Sequence, residues 1–422
     1  MTTAAPVEGP AVARRHATQV PYRLFYDQAV YDEEQRHLFR GPTWNFLGLG
    51  AEVPAHGDFK ATFVGDTPVV LTRGRDGELH CWVNRCAHRG ALVCREPRGH
   101  RTAHRCVYHQ WAYDVSGQLR GVPFQAGIDG KGGAPEDFDL ARHGLQNLRV
   151  ATYGDLVFGS FDAEVEPLDD YLGTPMRAAL DGIFTRPVNV LGHSRQAVAA
   201  NWKLYAENVR DPYHASLLHL FHATFGFYRS SQPGRIHMDP RRRHCVLESW
   251  PADAKAEAAK MAAANVTSYR AKYTLADPSL VAGWPEFRGL QILSVFPGLV
   301  VQQIQNTLAV RQLLPKGVGR FELVVTLFGY ADDDAERTAM RLKQANLIGP
   351  AGFISMEDGH ATEIVQRAVA DRTEAESIVV MGGYDSGDRD DLVNEAAIRG
   401  FWQYYRELLG ERIDGAHGGV RG

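Results

Sequence analysis

Residues 84–111 read NRCAHRGALVCREPRGHRTAHRCVYHQW, and this stretch decides the architecture of the first part of the chain. It contains two Cys-His pairs, Cys86 with His88 and Cys106 with His109, separated by 17 residues. Cysteines that are clustered and mixed with histidines usually bind metal in a reducing compartment, whereas small secreted domains use them for disulfides. The spacing therefore predicts two turns of a small domain that converge on one metal group.

Two kinds of metal group use two thiolates and two imidazoles. Structural zinc sites normally pair Cys-x2–4-Cys with His-x3–5-His, whereas here the two residue types are interleaved. Thiolates on one iron and imidazoles on the other form the ligand set of a Rieske [2Fe–2S] cluster. The interleaved order favours this one-electron carrier over a zinc-stabilised binding module.

The pattern C-x-H-x17-C-x2-H resembles the Rieske family, and residues 84–90 and 106–111 resemble the ring-hydroxylating oxygenases within it. The Rieske proteins of respiratory complexes carry two further cysteines in a disulfide, at positions held here by Ala91 and Tyr108. The remaining cysteines are expected to be buried thiols, which is common for lone cysteines; they are Cys81, Cys94 and Cys245.

A second group of metal-binding residue types follows in residues 201–219. Iron that activates dioxygen needs two imidazoles and one carboxylate on one face, and His214 and His219 offer the imidazoles. Residues five apart on a helix differ by about 140° around its axis. We therefore expect a distortion or a helix end to bring the two histidines together. With Asn208 and Asp211, the string resembles the iron motif of Rieske oxygenase large subunits.

The third iron ligand must be a carboxylate from elsewhere in the chain. Residues 349–359, GPAGFISMEDG, resemble the family segment that supplies it, and the resemblance implies that Asp358 binds iron and Glu357 does not. The alternative is that both acids only begin a solvated helix, since acids favour a helix N-terminus.

The resemblance also assigns catalytic roles to Asn208 and Asp211. In the family an acid at the position of Asp211 joins a cluster histidine of one subunit to an iron histidine of the next, which implies that Asp211 bridges His109 and His214 in a ring of three large subunits. The alternative is that Asp211 only caps a helix.

Two domains are expected from 422 residues. Short strands with glycine turns over residues 43–165 predict a small antiparallel β domain. Residues 185–422 mix helices with alternating strands and predict an α+β domain with a central antiparallel sheet, helix-grip-like by resemblance. Residues 1–42 are expected to pack on the catalytic domain.

The longest uncharged run, Leu290–Val310, has the length of a membrane span. It contains four glutamines, an asparagine and a central Pro-Gly pair, which fit two strands better, Leu290–Phe296 and Leu299–Val310. The net charge of -4, without a basic block, gives no reason to expect binding to nucleic acid or to an anionic membrane. Because the N-terminus has no apolar signal-peptide core, a cytoplasmic location is expected.

Within the family the chain resembles the large subunits that oxidise aromatic carboxylates, first that of terephthalate 1,2-dioxygenase and second that of salicylate 5-hydroxylase. This resemblance implies a substrate that is an aromatic carboxylate, dioxygen as co-substrate, and a cis-dihydrodiol product. Hydroxylation of a salicylate- or anthranilate-type monocarboxylate is the alternative, and an electron-transfer protein without oxygenase activity is a remote one. The implied partners are a separate NAD(P)H-dependent reductase, a ferredoxin and a small beta subunit, in an alpha3beta3 or alpha3 assembly.

By the same resemblance Arg311 and Arg399 match arginines that hold substrate carboxylates. Either could instead be a structural arginine that pairs with an internal acid, as buried charges usually do. One departure lies at Leu247, where the family pattern leads us to expect a serine that helps to hold terephthalate. The apolar walls of the substrate pocket are expected to include Val209, Ile348 and Ile354.

Overall fold

A computed structural model describes residues 17–225, 228–263, 275–287, 289–371 and 374–415. The chain divides into two compact units, one of residues 39–168 and one that joins residues 1–38 to residues 169–422. Among the helices of the described residues, none is long and apolar enough to cross a membrane.

The smaller unit consists of short antiparallel strands. One sheet has four strands, in the order Leu79–Val83, Thr67–Arg73, Asp58–Val64 and Arg98–His100. A second has three, in the order Ala103–Arg105, Ala112–Asp114 and Leu119–Gly121, and a third has Arg149–Tyr153, Leu156–Ser160 and Asn45–Leu49. The side chains of Phe59, Trp82 and Tyr113 form a buried cluster with Cys86 and Cys106, so that the sulfur atoms lie in the core of this unit.

The larger unit is built on a seven-stranded antiparallel sheet. Its strand order is Val188–Val198, Phe321–Tyr330, Thr307–Pro315, Leu299–Ile304, Leu290–Val295, Cys245–Ser249 and Gly234–Met238. The α-helices are Arg23–Tyr26, Gln28–Glu34, Leu168–Ile183, Trp202–Asn208, Ala215–Leu218, Leu220–Phe225, Ala254–Ala263, Ala335–Ile348, Ile354–Val369 and Ala396–Gly415. The predicted class, a small β domain with an α+β domain around a central antiparallel sheet, is confirmed.

The uncharged run differs from its prediction. The expected single strand Leu299–Val310 is wrong, because the chain turns at Gln305, where φ is 49°, and at Asn306. The amide side chain of Asn306 accepts from the main chain of Trp284 at 2.7 Å and so holds this turn. A new strand then runs to Pro315, and all of its residues are buried, including Arg311.

A buried ion pair fixes the helix that begins the candidate iron site. Lys203 Nζ lies 2.5 Å from Glu34 Oε1, and both side chains are fully buried. Glu34 also accepts hydrogen bonds from the indole of Trp202 and the hydroxyl of Tyr405. Because removal of either charge leaves the other buried and unpaired, the pair ties the N-terminal segment to helix Trp202–Asn208.

Candidate metal centres

Two loops of the smaller unit hold the Cys-His pairs in the same conformation. In each loop the cysteine N–H donates to the carbonyl five residues ahead, at 2.8 Å for Cys86 and 2.9 Å for Cys106. The N–H four residues ahead donates back to the cysteine carbonyl at 2.9 Å in both loops. That fourth residue has a left-handed backbone in each case, with φ of 73° at Gly90 and 61° at Gln110. The loops therefore share a backbone conformation and place their cysteines equivalently, whereas the histidine stands two residues after Cys86 and three residues after Cys106.

The donor set of these loops fits a [2Fe–2S] cluster. The thiols of Cys86 and Cys106 are buried and stand as free cysteines. The rings of His88 and His109, nearer the surface, have centroids 4.4 Å apart. Burial, followed by the neighbouring His88 and Arg89, lowers the pKa of His109, which favours the neutral form that ligates metal. Two sulfurs inside and two imidazoles outside match the two ends of a Rieske cluster.

The second group of residues lies around a break between two short helices. His214 is the N-cap of helix Ala215–Leu218, and His219 ends that helix with φ of -89° and ψ of 87°. The expectation that a helix end brings the two histidines together is confirmed. Asp358 comes from helix Ile354–Val369, where its side chain is 6% exposed.

The three side chains converge on one point. Nε2 of His219 lies 3.0 Å from Oδ1 of Asp358, and Nε2 of His214 lies 3.4 Å from the same oxygen. Two ligand atoms that bind one metal at right angles, each about 2.1 Å from it, are about 3.0 Å apart. One ligand atom from each residue lies within 4.8 Å of the others. The arrangement therefore fits a two-histidine, one-carboxylate iron site.

Acidic side chains lie beside the opposite nitrogen of each histidine, although only that of His219 is hydrogen-bonded. Nδ1 of His219 is 2.8 Å from Oε2 of Glu357, and Nδ1 of His214 is 3.4 Å from Oδ2 of Asp211. An acceptor at Nδ1 keeps the proton there and leaves the Nε2 lone pair for a metal. Glu357 thus has a positioning role that the sequence analysis did not assign, although its place beside Asp358 was visible.

The site is strongly polarised. Burial alone would lower the pKa of His214, but hydrogen bonds and the charges of Asp211 and Asp358 outweigh it and raise that pKa to about 10. Burial would raise the pKa of Asp358, but its contacts with His214 and His219 hold the pKa well below its usual range. The amide of Asn208 donates to Oδ1 of Asp358 at 3.3 Å and lies 3.3 Å from Nε2 of His214. A metal ion bound here would therefore displace a proton from His214 and be stabilised by the ionised carboxylate of Asp358.

A partly open cavity of about 80 Å³ adjoins the triad. Its apolar walls are Val209, Pro212, Ala215, Leu247, Leu290, Ile292, Ile304 and Ile354. Arg311 also lines it, is 6% exposed, and donates to the hydroxyl of Tyr205 at 3.0 Å. Among the residues that the structure describes, no carboxylate lies within ion-pair distance of Arg311.

Two residues expected in the pocket do not line this cavity. Arg399 is fully buried elsewhere, where it donates to the main-chain carbonyls of Asp385, Val379 and Met381 at 2.7 to 3.3 Å. These carbonyls engage Nε and Nη1 of its guanidinium, whereas Nη2 has no hydrogen-bond partner among the described residues. Ile348 packs instead in the neighbouring hydrophobic cluster. Of the other expected wall residues, Val209 and Ile354 do reach the cavity.

His222 is a cavity residue that the sequence analysis missed. It lies in helix Leu220–Phe225, lines the cavity and is 4% exposed. Burial, reinforced by the neighbouring His219, lowers the pKa of His222 to about 3, so the ring is neutral. The only signal in the sequence is its position three residues after His219, close to one helical turn.

Comparisons with known proteins agree with this geometry. Residues 177–411 match the family described as "Ring hydroxylating alpha subunit (catalytic domain)", and residues 43–140 match "Rieske [2Fe-2S] domain". The anthranilate 1,2-dioxygenase large subunit of Burkholderia cepacia is 50% identical, over 93% of this chain and 94% of its own. Subunit alpha 2 of the terminal oxygenase component of terephthalate 1,2-dioxygenase from a Comamonas species is 47% identical, over 94% and 96%.

Two more distant comparisons extend this result. The large oxygenase component of salicylate 5-hydroxylase from a Ralstonia species is 39% identical, over 94% of this chain and 95% of its own. Among solved structures, naphthalene 1,2-dioxygenase from a Rhodococcus species bound to indole superposes with a TM-score of 0.77, at 23% identity, over 93% of this chain and 95% of its own. At that identity the structural match concerns the fold alone.

Proposed function

Since the chain belongs to the ring-hydroxylating oxygenase alpha subunits, with a Rieske [2Fe–2S] domain before the catalytic domain, we propose that it oxygenates an aromatic monocarboxylate held by Arg311. The chain is a Rieske aromatic-ring-hydroxylating dioxygenase subunit that uses a [2Fe–2S] cluster and a mononuclear iron. When bound, the cluster supplies single electrons and the ferrous ion activates dioxygen.

The proposed ligands follow from the two centres described above. The cluster is held by Cys86, His88, Cys106 and His109, and the mononuclear iron by His214, His219 and Asp358. Glu357 and Asp211 orient the two iron histidines from the far side of each ring. Asn208 steadies the carboxylate of Asp358, to which it donates.

The position of Arg311 is the observation that carries the substrate proposal. A buried cation normally has an ionic partner, since desolvating an isolated charge is costly. Arg311 has no carboxylate partner among the described residues, and it faces the cavity beside the triad. A substrate carboxylate supplies that partner through charge-assisted hydrogen bonds, while the apolar walls contact the aromatic ring.

The same cavity favours one carboxylate over two. Arg311 is the one arginine or lysine among the described residues that line it, since Arg399 is engaged by main-chain carbonyls. Leu247 contributes an apolar side chain where a polar contact to a second carboxylate was expected. A dicarboxylate such as terephthalate leaves its second charge desolvated there. A monocarboxylate of the anthranilate or salicylate type fits better.

The remaining parts of the proposal concern products and partners. We take the product to be a cis-dihydrodiol, because two of the three relatives described above are dioxygenases by name. Electrons come from a separate NAD(P)H-dependent reductase, directly or through a ferredoxin. Three large subunits, with or without small beta subunits, form a ring in which Asp211 joins His214 to His109 of the neighbouring copy.

The five free cysteines support a reducing, cytoplasmic setting.

A turnover screen tests this function. The enzyme with both metal centres is combined with a reductase and offered substituted benzoates, terephthalate and the uncharged analogue benzamide, and the products are identified by mass. We expect benzoates to be oxygenated, and Arg311→Met to lower kcat/KM for them at least ten-fold while benzamide changes little, because a charge-assisted hydrogen bond contributes about 1.5–3 kcal/mol. Equal losses for benzoate and benzamide, or a preference for terephthalate, contradict the proposal.

A further inference from the structure

The side-chain amide of Gln302 is buried in the central sheet of the larger unit. Gln302 lies in strand Leu299–Ile304 and is 2% exposed, and its Oε1 has no hydrogen-bond partner among the described residues. Folded proteins rarely leave a buried amide oxygen in this state, because its desolvation costs stability. The adjacent Gln303 shows the usual arrangement, since its Nε2 donates to the carbonyls of Gln305 and Gly289 at 2.6 and 3.2 Å.

The strand register places Gln302 on the face of the sheet that bears the substrate cavity. Ile292 lies opposite Gln302 on one neighbouring strand, Ile304 follows it by two residues, and both of these line the cavity. On the other neighbouring strand Gln302 pairs with Ala309, so that Arg311 is its diagonal neighbour on the same face. Long side chains reach each other across such a diagonal. Although Gln302 is not itself a lining residue, its amide therefore lies within reach of the cavity arginine.

We propose that Gln302 is a specificity-determining residue that binds the substrate carboxylate together with Arg311. This inference rests on the proposed function, in which Arg311 pairs with that carboxylate. Nη1 of Arg311 donates to the hydroxyl of Tyr205 at 3.0 Å, and the guanidinium has further N–H donors. In the bound state Oε1 of Gln302 accepts from one of these N–H groups while Nε2 donates to a carboxylate oxygen. Both ends of the amide then have partners.

The physical basis of this selectivity is a hydrogen bond that only a charged acceptor makes strong. A carboxylate receives a charge-assisted hydrogen bond from Nε2, which contributes more than a bond between neutral groups. An uncharged group of the same shape accepts weakly and leaves the amide nearly as it was. Sites built around such a bond reject analogues that lack the acceptor. A polar residue retained for binding in this way lowers the stability of the ligand-free protein.

A matched pair of ligands tests the inference on the enzyme with both metal centres. Benzoate and nitrobenzene have nearly the same shape but differ in charge, and their dissociation constants are measured by calorimetry without reductant. In Gln302→Met we expect the preference for benzoate over nitrobenzene to fall about ten-fold, as the loss of a hydrogen bond to a charged group predicts. A preference that stays within about two-fold of the wild type overturns the proposal.

Gln303→Met is the matched control, because it makes the same substitution one residue further along the strand. Successive side chains of a strand point to opposite faces, so Gln303 faces away from the cavity. Its substitution should leave the preference for benzoate unchanged. An equal loss of preference in both variants contradicts a specific role of Gln302.

The stability of the ligand-free variants separates a role in binding from a role in the fold. Gln302→Met should have a urea midpoint equal to or higher than that of the wild type, because an apolar side chain replaces a buried amide whose oxygen has no partner. Gln303→Met should have a lower midpoint, since it loses two hydrogen bonds. A lowered midpoint in Gln302→Met shows that the amide supports the fold, and it overturns the proposal.

A change of charge at the same position gives an independent test. Gln302→Glu places a carboxylate within reach of Arg311, where it should pair with the guanidinium and compete with the substrate. We expect the dissociation constant of benzoate to rise at least about ten-fold, while that of nitrobenzene changes little. Iron content and circular dichroism confirm that the variant is folded. Unaltered benzoate binding in the folded variant contradicts the proximity of Gln302 to the carboxylate site.

Arg311→Met separates this inference from the function on which it rests. If Arg311→Met keeps the preference for benzoate over nitrobenzene, the proposed function fails, whatever Gln302 does. If Arg311→Met loses the preference and Gln302→Met keeps it, only the role of Gln302 fails. Loss of the preference in both variants supports both proposals.

Discussion

Removal of the Glu357 carboxylate is expected to weaken iron binding without touching the iron. Oε2 of Glu357 is 2.8 Å from Nδ1 of His219, on the side of the ring away from Asp358. Loss of this acceptor frees the ring to rotate and to place its proton on either nitrogen. Loss of such supporting acceptors typically costs 10- to 100-fold in metal affinity. For Glu357→Ala this corresponds to about 1.4–2.7 kcal/mol of binding free energy.

The assay is an anaerobic competition between the protein and a chelator for ferrous iron at the mononuclear site. The visible absorbance of the cluster serves as an internal standard, since Glu357 lies in the larger unit and the cluster loops in the smaller one. Glu363→Ala is the matched control: Glu363 stands on the same helix, five residues after Asp358, and accepts from the main-chain N–H of Ala199 at 3.0 Å. Glu357→Gln, whose amide oxygen still accepts, should lose less.

Two results refute this reasoning. Iron affinity in Glu357→Ala within two-fold of wild type shows that His219 is oriented by other contacts. An equal loss in Glu363→Ala shows that the effect comes from the stability of helix Ile354–Val369 and not from the hydrogen bond to His219.

Three further predictions concern the cluster, the pH dependence of stability and a strained loop. The hydroxyl of Tyr113 lies 3.2 Å from Sγ of Cys86. Because hydrogen bonds to sulfur stabilise the reduced cluster, Tyr113→Phe should lower the midpoint potential of the cluster by roughly 60 mV in an EPR-monitored redox titration. An unchanged potential contradicts this prediction. Burial raises the pKa of Glu207 to about 8. Between the pKa of the unfolded chain and about 8, the folded state therefore binds a proton that the unfolded state does not. The free energy of unfolding falls as pH rises through this range, by up to about 1.4 kcal/mol per pH unit. When the free energy of unfolding is measured with urea between pH 5 and 8, its decrease with pH should be smaller in Glu207→Gln than in the wild type. An identical dependence on pH refutes the pKa shift assigned to Glu207. Gln110 has φ of 61° where the equivalent loop has Gly90. Gln110→Gly should therefore raise the free energy of unfolding by about 1 kcal/mol, which is measured as a higher thermal midpoint, and a lowered midpoint contradicts this reasoning.

Local sequence patterns predicted features of the chain around the candidate metal ligands. The Cys-His pairs occupy single loops, and the five-residue spacing of His214 and His219 already required a distortion or a helix end, of which the structure shows the helix end. In such segments the covalent chain itself sets the geometry, so residue type and spacing carry most of the information. The division into a β unit and an α+β unit followed from hydrophobic periodicity in the same way.

Features that depend on distant contacts could not be predicted from the sequence. Arg311 and Arg399 both stand in apolar surroundings along the chain, and only the folded structure shows that main-chain carbonyls occupy one of them while the other faces a cavity. The contact of Glu357 with His219 joins residues 138 positions apart. The sequence analysis assigned no role to His222, because nothing in the neighbouring sequence indicates that this residue lines a cavity.

Metal and sulfide content of the purified protein, with and without the Asp358 carboxylate, tests the central claim most directly. We predict about three irons and two acid-labile sulfides per wild-type chain, and about two irons with an intact Rieske EPR signal in Asp358→Ala, because the cluster needs two irons and the triad one. A colourless protein with a single zinc, or an Asp358→Ala variant that retains all three irons, contradicts the account.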